Sequence, residues 1–330
     1  MARKLGVHKT SWPMRAPFRI TGYVFETIDA VVVEISEGGH VGRGEGCGVY
    51  YLNDVADGML DSIEALRSDI EGGLTREELQ SALPAGGARN AVDCALWDLT
   101  AKQTGKSVWE LTEIEPRPVQ TVFTIGIEET PEKMAAKAAG ARAFPVLKVK
   151  LDGEQPVERI AAIRAVRPDA TLVIDANQGF SLDQLKEVAA PLGELGVAMI
   201  EQPLRRGEDE GLAGFDSPVP ICADESCLHR GELPAALERY DMINIKLDKT
   251  GGLTEGLALA REARAAGKRV MVGNMVGTSL SMAPAFVVAQ LCDFVDLDGP
   301  LNLKSDYAGG MSYDGGMVSA PSPGFWGGMS

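Results

Sequence analysis

Short apolar runs that each end in a charged or polar residue recur through the second half of the chain. Leu147-Lys148-Val149-Lys150 is the first. Leu172-Val173-Ile174-Asp175-Ala176-Asn177, Ala198-Met199-Ile200-Glu201 and Ile221-Cys222-Ala223-Asp224 follow. Met242-Ile243-Asn244-Ile245-Lys246, Val270-Met271-Val272-Gly273-Asn274 and Phe294-Val295-Asp296-Leu297-Asp298 complete a set of seven. The runs lie roughly 22 to 27 residues apart, the length of one strand-loop-helix-loop unit. Continuous apolar runs suit strands buried on both faces of a parallel sheet. Helical periodicity over 157–166, 182–195 and 253–266 fills gaps between them. Such units close into a (β/α) barrel, which carries its catalytic groups at the C-terminal strand ends. Each run ends where such groups belong.

The first third reads differently. Residues 1 to 50 are predicted as β, with a strand over 30–35, a Gly38-Gly39 turn and a return strand over 41–45. Residues 15–23 and 46–53 read as irregular. Three helices follow. Met59, Ile63, Leu66 and Ile70 keep helical spacing, Thr75 with Glu78 forms a capping box, and a helix over 88–102 is closed by Gly105. The expected fold class is α/β: a (β/α)7β TIM-like barrel with an N-terminal α+β capping domain. The cap is assigned to 1–116 and the barrel to 117–302, beginning at Val119. The Gly-, Ser- and Pro-rich tail, 303–330, is assigned to pack on the cap, with a turn at Tyr313-Asp314-Gly315-Gly316.

Composition narrows the function. A net charge of −15 and a pI near 4.8 argue against a nucleic-acid partner. No run of 18 apolar residues predicts a membrane span, and the N-terminus lacks the apolar core of a secretory signal. Five scattered cysteines show no metal-ligand spacing and suit reduced thiols in a cytoplasm. A homo-oligomer is compatible with this composition. With three histidines in the chain, acid-base chemistry falls to Lys, Asp or Glu.

Asp175, Glu201 and Asp224 end three consecutive barrel strands and point carboxylates at one mouth. Unpaired, they would repel and raise one another's pKa. A divalent cation removes that cost, and all-oxygen ligands favour Mg²⁺ or Mn²⁺ over zinc. Each acid alone could be a helix cap or surface group; three at successive strand ends make that a poor account. Lys148 and Lys150 end strand two and Lys246 ends strand six, opposite it in an eight-stranded barrel. A lysine near a cation and other lysines has a lowered pKa and can act as a base. One base on each face of a carbon could remove a proton from one side and return it from the other. The bland alternative is that these lysines merely pair with the acids. Lys249 reads as a loop ion pair.

The strings Lys148-x-Lys150, Asp175-x-Asn177, Glu201-Gln202-Pro203, Asp224-Glu225-Ser226 and Asn244-Ile245-Lys246 resemble the enolase superfamily, in its muconate-lactonizing subgroup. Ile245-Lys246-Leu247-Asp248-Lys249-Thr250-Gly251-Gly252 and Asp296-Leu297-Asp298-Gly299-Pro300 are similar to dipeptide epimerases of the L-Ala-D/L-Glu type. The resemblance implies Lys150 and Lys246 as acid/base residues and Asp175, Glu201 and Asp224 as Mg²⁺ ligands. It implies Lys148, Thr124, Asn274 and Met275 as substrate-binding, and Asp296 with Asp298 as holders of a dipeptide ammonium. Two carboxylates are costly in a pocket unless a cation arrives. The implied activity is epimerization of a small-molecule dipeptide by 1,1-proton transfer through an enediolate, within murein peptide recycling. Relatives that prefer a C-terminal glutamate place an arginine shortly after the Pro17-Phe18 pair. Here Gly22 and Tyr23 occupy that region, and Arg19 is the nearest cation. An o-succinylbenzoate synthase or muconate cycloisomerase would use the same lysines and metal, but its substrate has no ammonium for Asp296-x-Asp298. A dipeptide epimerase for non-glutamate dipeptides and a non-catalytic binder are the remaining readings.

Overall fold

The computed structural model describes residues 2–20 and 22–328. Thr21, within the loop read from residues 17–24, lies outside the described residues, as do Met1 and the last two residues of the tail. Strand β1 (Lys4–Ile20) pairs antiparallel with β2 (Tyr23–Glu37), and β2 with β3 (His40–Gly46). Residues 15–20 are therefore strand and not the irregular segment expected. The surplus of residues between Pro13 and Phe18 is absorbed as a bulge where the register shifts. Alternation fails locally at a bulge, so the hydrophobic pattern hides it. The bulge brings Met14 into a bridge with Leu303.

The single helix expected through Met59 and Ile70 is broken at Leu66 into Ala56–Ala65 and Arg67–Glu71. The break lets the second piece follow the edge of β1: Arg67 donates to Leu5 O at 2.6 Å and Leu5 N to Glu71 Oε1 at 3.1 Å. The Thr75 and Glu78 capping box forms as read. The long helix Gly87–Thr104 ends on left-handed Gly105. It lies unusually close to β3. A Cβ at Gly42, Gly44 or Gly46 would come within 2.1, 2.1 and 2.2 Å of helix carbonyl oxygens. Three glycines at alternate positions leave one face of the strand without side chains, so helix and sheet touch through backbone.

β4 (Val119–Gln120), expected to open the barrel, stands outside it. The barrel sheet runs β5 (Phe123–Ile125), β6 (Val146–Lys150), β7 (Thr171–Asp175), β8 (Val197–Glu201), β9 (Ile221–Ala223), β10 (Met242–Lys246), β11 (Arg269–Gly273) and β12 (Phe294–Val295). All neighbours pair in parallel. Closure comes from Val122 N to Val295 O and Leu297 N to Thr121 Oγ1, both at 2.9 Å. β4 instead pairs with the tail hairpin, β13 (Ser312–Asp314) and β14 (Met317–Ser319), whose turn is Gly315-Gly316. Farther on, Trp326 Nε1 donates to Arg43 O at 2.9 Å and Gly327 N to Asp98 Oδ1 at 2.8 Å, so the end of the tail lies on β3 and the long helix.

The barrel interior is built in layers. Val122, Val173, Met199, Cys222, Met242 and Met271 form a buried apolar plug. Side chains two positions further along a strand share its face. One step above the plug the chain places Thr124, Asp175, Glu201, Asp224 and Asn244. Val146 and Phe294 pack on the same plug, and their next same-face residues are Lys148, Lys150, Asp296 and Asp298. Side-chain parity therefore turns the strand-end acids and lysines, with Thr124, toward one chamber above an apolar floor.

Two buried carboxylates join the cap to the barrel rim. Asp248 accepts from Cys47 N at 2.9 Å, Gly48 N at 3.2 Å and Asn90 Nδ2 at 3.1 Å. Glu45 accepts from Thr278 N and Oγ1, both at 2.9 Å. These bonds fix the cap loop that follows β3 over the barrel mouth.

Candidate active site

Lys148 Nζ stands at the centre of the chamber, 3.0 Å from Asp175, 2.8 Å from Glu201 and 2.8 Å from Asp296. Lys150 Nζ reaches Asp175 at 2.6 Å and Asn177 Oδ1 at 3.1 Å. Across the barrel, Lys246 Nζ reaches Asp224 Oδ2 at 2.6 Å. Gly273 on the neighbouring strand leaves that path open: a Cβ there would stand 3.0 Å from Lys246 Cε and 2.9 Å from the Asn244 amide.

Lys249 makes the ion pair expected of it, but from a short buried helix and not from a loop. It sits in the short helix Leu247–Thr250, 2% exposed, pairs with Asp224 Oδ1 at 2.7 Å and donates to the carbonyls of Asp224, Cys227 and Asn244. Its sequence position after the strand gave no sign of this. The helix that carries it is ended by Gly251, its left-handed C-cap, with Gly252 also at positive φ. Asn244, one same-face step before Lys246, donates to Glu201 Oε1 at 2.7 Å. That spacing could have marked it in advance.

The strand-eight pair faces the same chamber. Asn274 Nδ2 donates to Asp296 O at 2.7 Å. Thr124 N donates to Asp298 Oδ2 at 2.8 Å. Asp298 precedes the helix Gly299–Asn302 but makes no side-chain cap to it, so helix capping does not explain this residue. A cavity of about 820 Å³ opens beside Thr124, lined among others by Arg15, Phe18, exposed Arg19 and Asp152. A second, of about 250 Å³, is lined by Phe25, Cys47, Tyr50 and Met275. Met275 and Thr124 therefore border different openings. Lys148, Lys150 and Lys246 line neither of these two cavities.

Six carboxyl groups, from Asp175, Glu201, Asp224, Glu225, Asp296 and Asp298, meet four ammonium groups, from Lys148, Lys150, Lys246 and Lys249. Fully ionised, the acids exceed the lysines by two charges. Burial and the neighbouring Asp175 push Glu201 up to about 7. Burial and Asp224 push Glu225 up to about 8, and burial and Asp296 push Asp298 up to about 7. Burial works against charge on Lys246 as well, but Asp224 and Glu201 together outweigh it and hold the amine above its ordinary value. Lys148 is held up in the same way by Asp175, Asp296 and Glu201. Lys148 and Lys246 are thus both raised by their carboxylate neighbours, where the sequence reading expected a lysine beside a cation to be lowered.

The residues fit a hard divalent cation in chemistry and in charge. All the donors are oxygens, the surplus is two negative charges, and Glu201 Oε2 and Asp224 Oδ1 accept no directed hydrogen bond despite a nearby ammonium. The three acids do not close into a finished cage: among the described residues no three Asp, Glu, His or Cys side chains converge as a metal site. Lys148 instead takes the position between Asp175 and Glu201, and Asp224 turns to Lys246 and Lys249.

Comparison with known proteins extends over the whole chain. Residues 2–112 match the mandelate racemase / muconate lactonizing enzyme N-terminal domain, and residues 132–325 match the enolase C-terminal domain-like family. An L-Ala-D/L-Glu epimerase of Escherichia coli is 46% identical over 92% of this chain and 95% of its own length. An N-acetyl-D-glutamate racemase of Pseudoalteromonas is 43% identical over 76% and 79%. Among solved structures, an enolase family member from Agrobacterium tumefaciens with homology to dipeptide epimerases, holding sodium and L-Ala-L-Glu, superposes with a TM-score of 0.95. It is 42% identical and the match covers 98% of this chain and 100% of that one. The chain is a member of the enolase superfamily, in its mandelate racemase and muconate lactonizing branch.

Proposed function

We propose that this enzyme is a Mg²⁺-dependent dipeptide epimerase that interconverts L-Ala-L-Glu and L-Ala-D-Glu. The observation that carries the reading is the placement of Lys150 and Lys246 on opposite strands, each buried and each against a separate carboxylate. Asp175, Glu201 and Asp224 would hold the cation, which supplies stabilisation for the negative charge that develops on the substrate carboxylate. With Asp224 and Glu201 engaged, burial of Lys246 is less opposed, and its neutral amine becomes accessible. One lysine takes the α-proton of the C-terminal residue; the other, as an ammonium, returns a proton to the opposite face. The substrate leaves as its epimer, and the two lysines have exchanged protonation states. Lys148 lies within reach of the same carboxylates and would face the substrate carboxylate. Turnover of L-Ala-L-Glu, followed by optical rotation with Mg²⁺ and after chelation, tests the reading. Turnover unchanged by chelator would contradict it.

Asp296 and Asp298 support a free dipeptide over an N-acyl substrate, since two buried carboxylates favour an ammonium. The resemblance to an N-acetyl-D-glutamate racemase makes this worth a direct comparison. N-acetylated Ala-Glu is expected to turn over at least tenfold more slowly than free Ala-Glu, a difference of about 1.4 kcal/mol. Comparable rates would remove the ammonium role and favour N-acylamino-acid racemization. Ala-Glu pairs suit recycling of murein peptides in a cytoplasm.

Arg19 would supply the side-chain contact. It is exposed and lines the cavity beside Thr124, and a guanidinium can grip a carboxylate at two points. Arg19→Ala is expected to lower kcat/KM for Ala-Glu roughly tenfold, about 1.4 kcal/mol, and to leave Ala-Leu unchanged. Equal effects on both substrates would leave Arg19 without a specificity role. Tyr23 and Phe25, stacked at 6.1 Å on the neighbouring β2, would then be the side chains left to favour a neutral partner.

A further inference from the structure

Gln202, which follows Glu201 directly, has a backbone φ of 34°. That left-handed value is uncommon outside glycine and persists only where surrounding contacts hold it. The contacts are numerous. Gln202 N donates to Cys222 O and its carbonyl accepts from Gln178 N, both at 2.8 Å. Its side-chain Oε1 accepts from Asp224 N at 2.9 Å and Ser226 N at 3.0 Å. Its Nε2 donates to Leu204 O at 2.8 Å and lies 2.8 Å from Ser226 Oγ and 3.0 Å from Tyr240 Oη. Tyr240 in turn donates to buried Asp209, which Arg239 pairs at 2.8 Å.

Through these bonds one amide links three loops. Gln178 follows the strand of Asp175, Gln202 follows Glu201, and Asp224 and Ser226 follow β9. Gln178 and its neighbour Asn177 are also at positive φ, 65° and 43°, so left-handed backbone recurs where Asp175 and Glu201 leave their strands. The side chain must both accept and donate here. A glutamate could not donate to Leu204 O, and its charge would lie beside Asp224.

We infer that Gln202 is a positioning residue that sets the spacing of Asp175, Glu201 and Asp224, and so tunes the affinity of the site for a divalent cation. The inference rests on the proposed cation role of those acids. It concerns cation binding without substrate, so it can be read apart from turnover.

The test is calorimetric titration of the full chain with MgCl₂ alone, for wild type, Gln202→Met and Tyr240→Phe, beside thermal unfolding in chelator. Methionine keeps the volume and removes every polar contact of the side chain. Gln202→Met is expected to weaken Mg²⁺ binding tenfold or more. Tyr240→Phe, which removes one partner of the amide, is expected to weaken it about threefold. A purely structural role would lower the melting temperature and leave the affinity of the folded protein unchanged, and that result overturns the inference. If Gln202→Met does not fold, unchanged affinity in Tyr240→Phe overturns it equally. A wild type that binds no Mg²⁺ would instead overturn the functional reading on which the inference stands.

Discussion

Asp224→Asn is expected to lower Mg²⁺-dependent epimerization by roughly 10³-fold or more, because a cation at such a site supplies several kcal/mol of charge stabilisation. Loss of Asp224 also disturbs the structure. Asp224 lies between Lys246 at 2.6 Å and Lys249 at 2.7 Å, and all three groups are buried. Removing one member of a buried ion pair costs roughly 3–5 kcal/mol, since the remaining charge is left uncompensated. A lower melting temperature is therefore expected alongside the lost activity. The two effects separate by temperature: well below the variant's own unfolding transition, activity should still be missing. Lys249 retains its three backbone carbonyl partners, which should keep the loop after β9 folded. Mg²⁺ titration should show weakened binding. Full activity in the variant, or normal binding with normal activity, would remove Asp224 from the cation site.

The second large effect concerns the lysines. Lys150→Ala and Lys246→Ala should each reduce epimerization by roughly 10²- to 10⁴-fold, the range of a positioned general acid or base. Their positions on strands two and six assign one stereochemical face to each. Each variant should therefore still exchange the α-proton of one epimer while failing to produce the other. The two variants should differ in which epimer they exchange. Lys148→Ala should instead affect both epimers alike, because Lys148 sits among Asp175, Glu201 and Asp296 and not on one face alone. Full epimerization by both Lys150→Ala and Lys246→Ala would contradict the two-face arrangement.

Much of this architecture was legible in the chain. The period of the apolar runs foretold the parallel strands, and their last residues are the groups that meet in the chamber. What alternation could not show was contact across distance. Gly42 and Gly44 read as an ordinary return strand and Gly46 as the start of an irregular segment. Their purpose emerges only when the helix Gly87–Thr104 is laid on them at backbone distance. Lys249 read as a loop residue, since a four-residue helix leaves no periodicity. Gln202 was visible in Glu201-Gln202-Pro203 but had no apparent task before its partners Asp224, Ser226 and Tyr240 were in place. The bulge in β1 and the break at Leu66 are tertiary accommodations: each follows from where the chain must dock. Glu225 and Lys249 were not counted as part of the chamber from the sequence, but they add one acid and one amine, so the surplus of two carboxylates stands with or without them. Lys148 and Lys246 are raised because the carboxylates packed against them outweigh burial, a set of contacts that strand ends read one by one do not show.

The central claim is that one proton leaves the α-carbon of the C-terminal residue and another returns from solvent-exchanged lysine. Incubating wild-type enzyme with L-Ala-L-Glu and Mg²⁺ in deuterated water tests it most directly, with the products separated by epimer and read by mass and proton NMR. The account predicts that L-Ala-D-Glu forms carrying one deuterium, placed at the glutamate α-carbon, and that recovered L-Ala-L-Glu acquires the same label with time. Absence of exchange at that carbon under conditions where Mg²⁺ binds, or epimerization that retains the original hydrogen throughout, would contradict it.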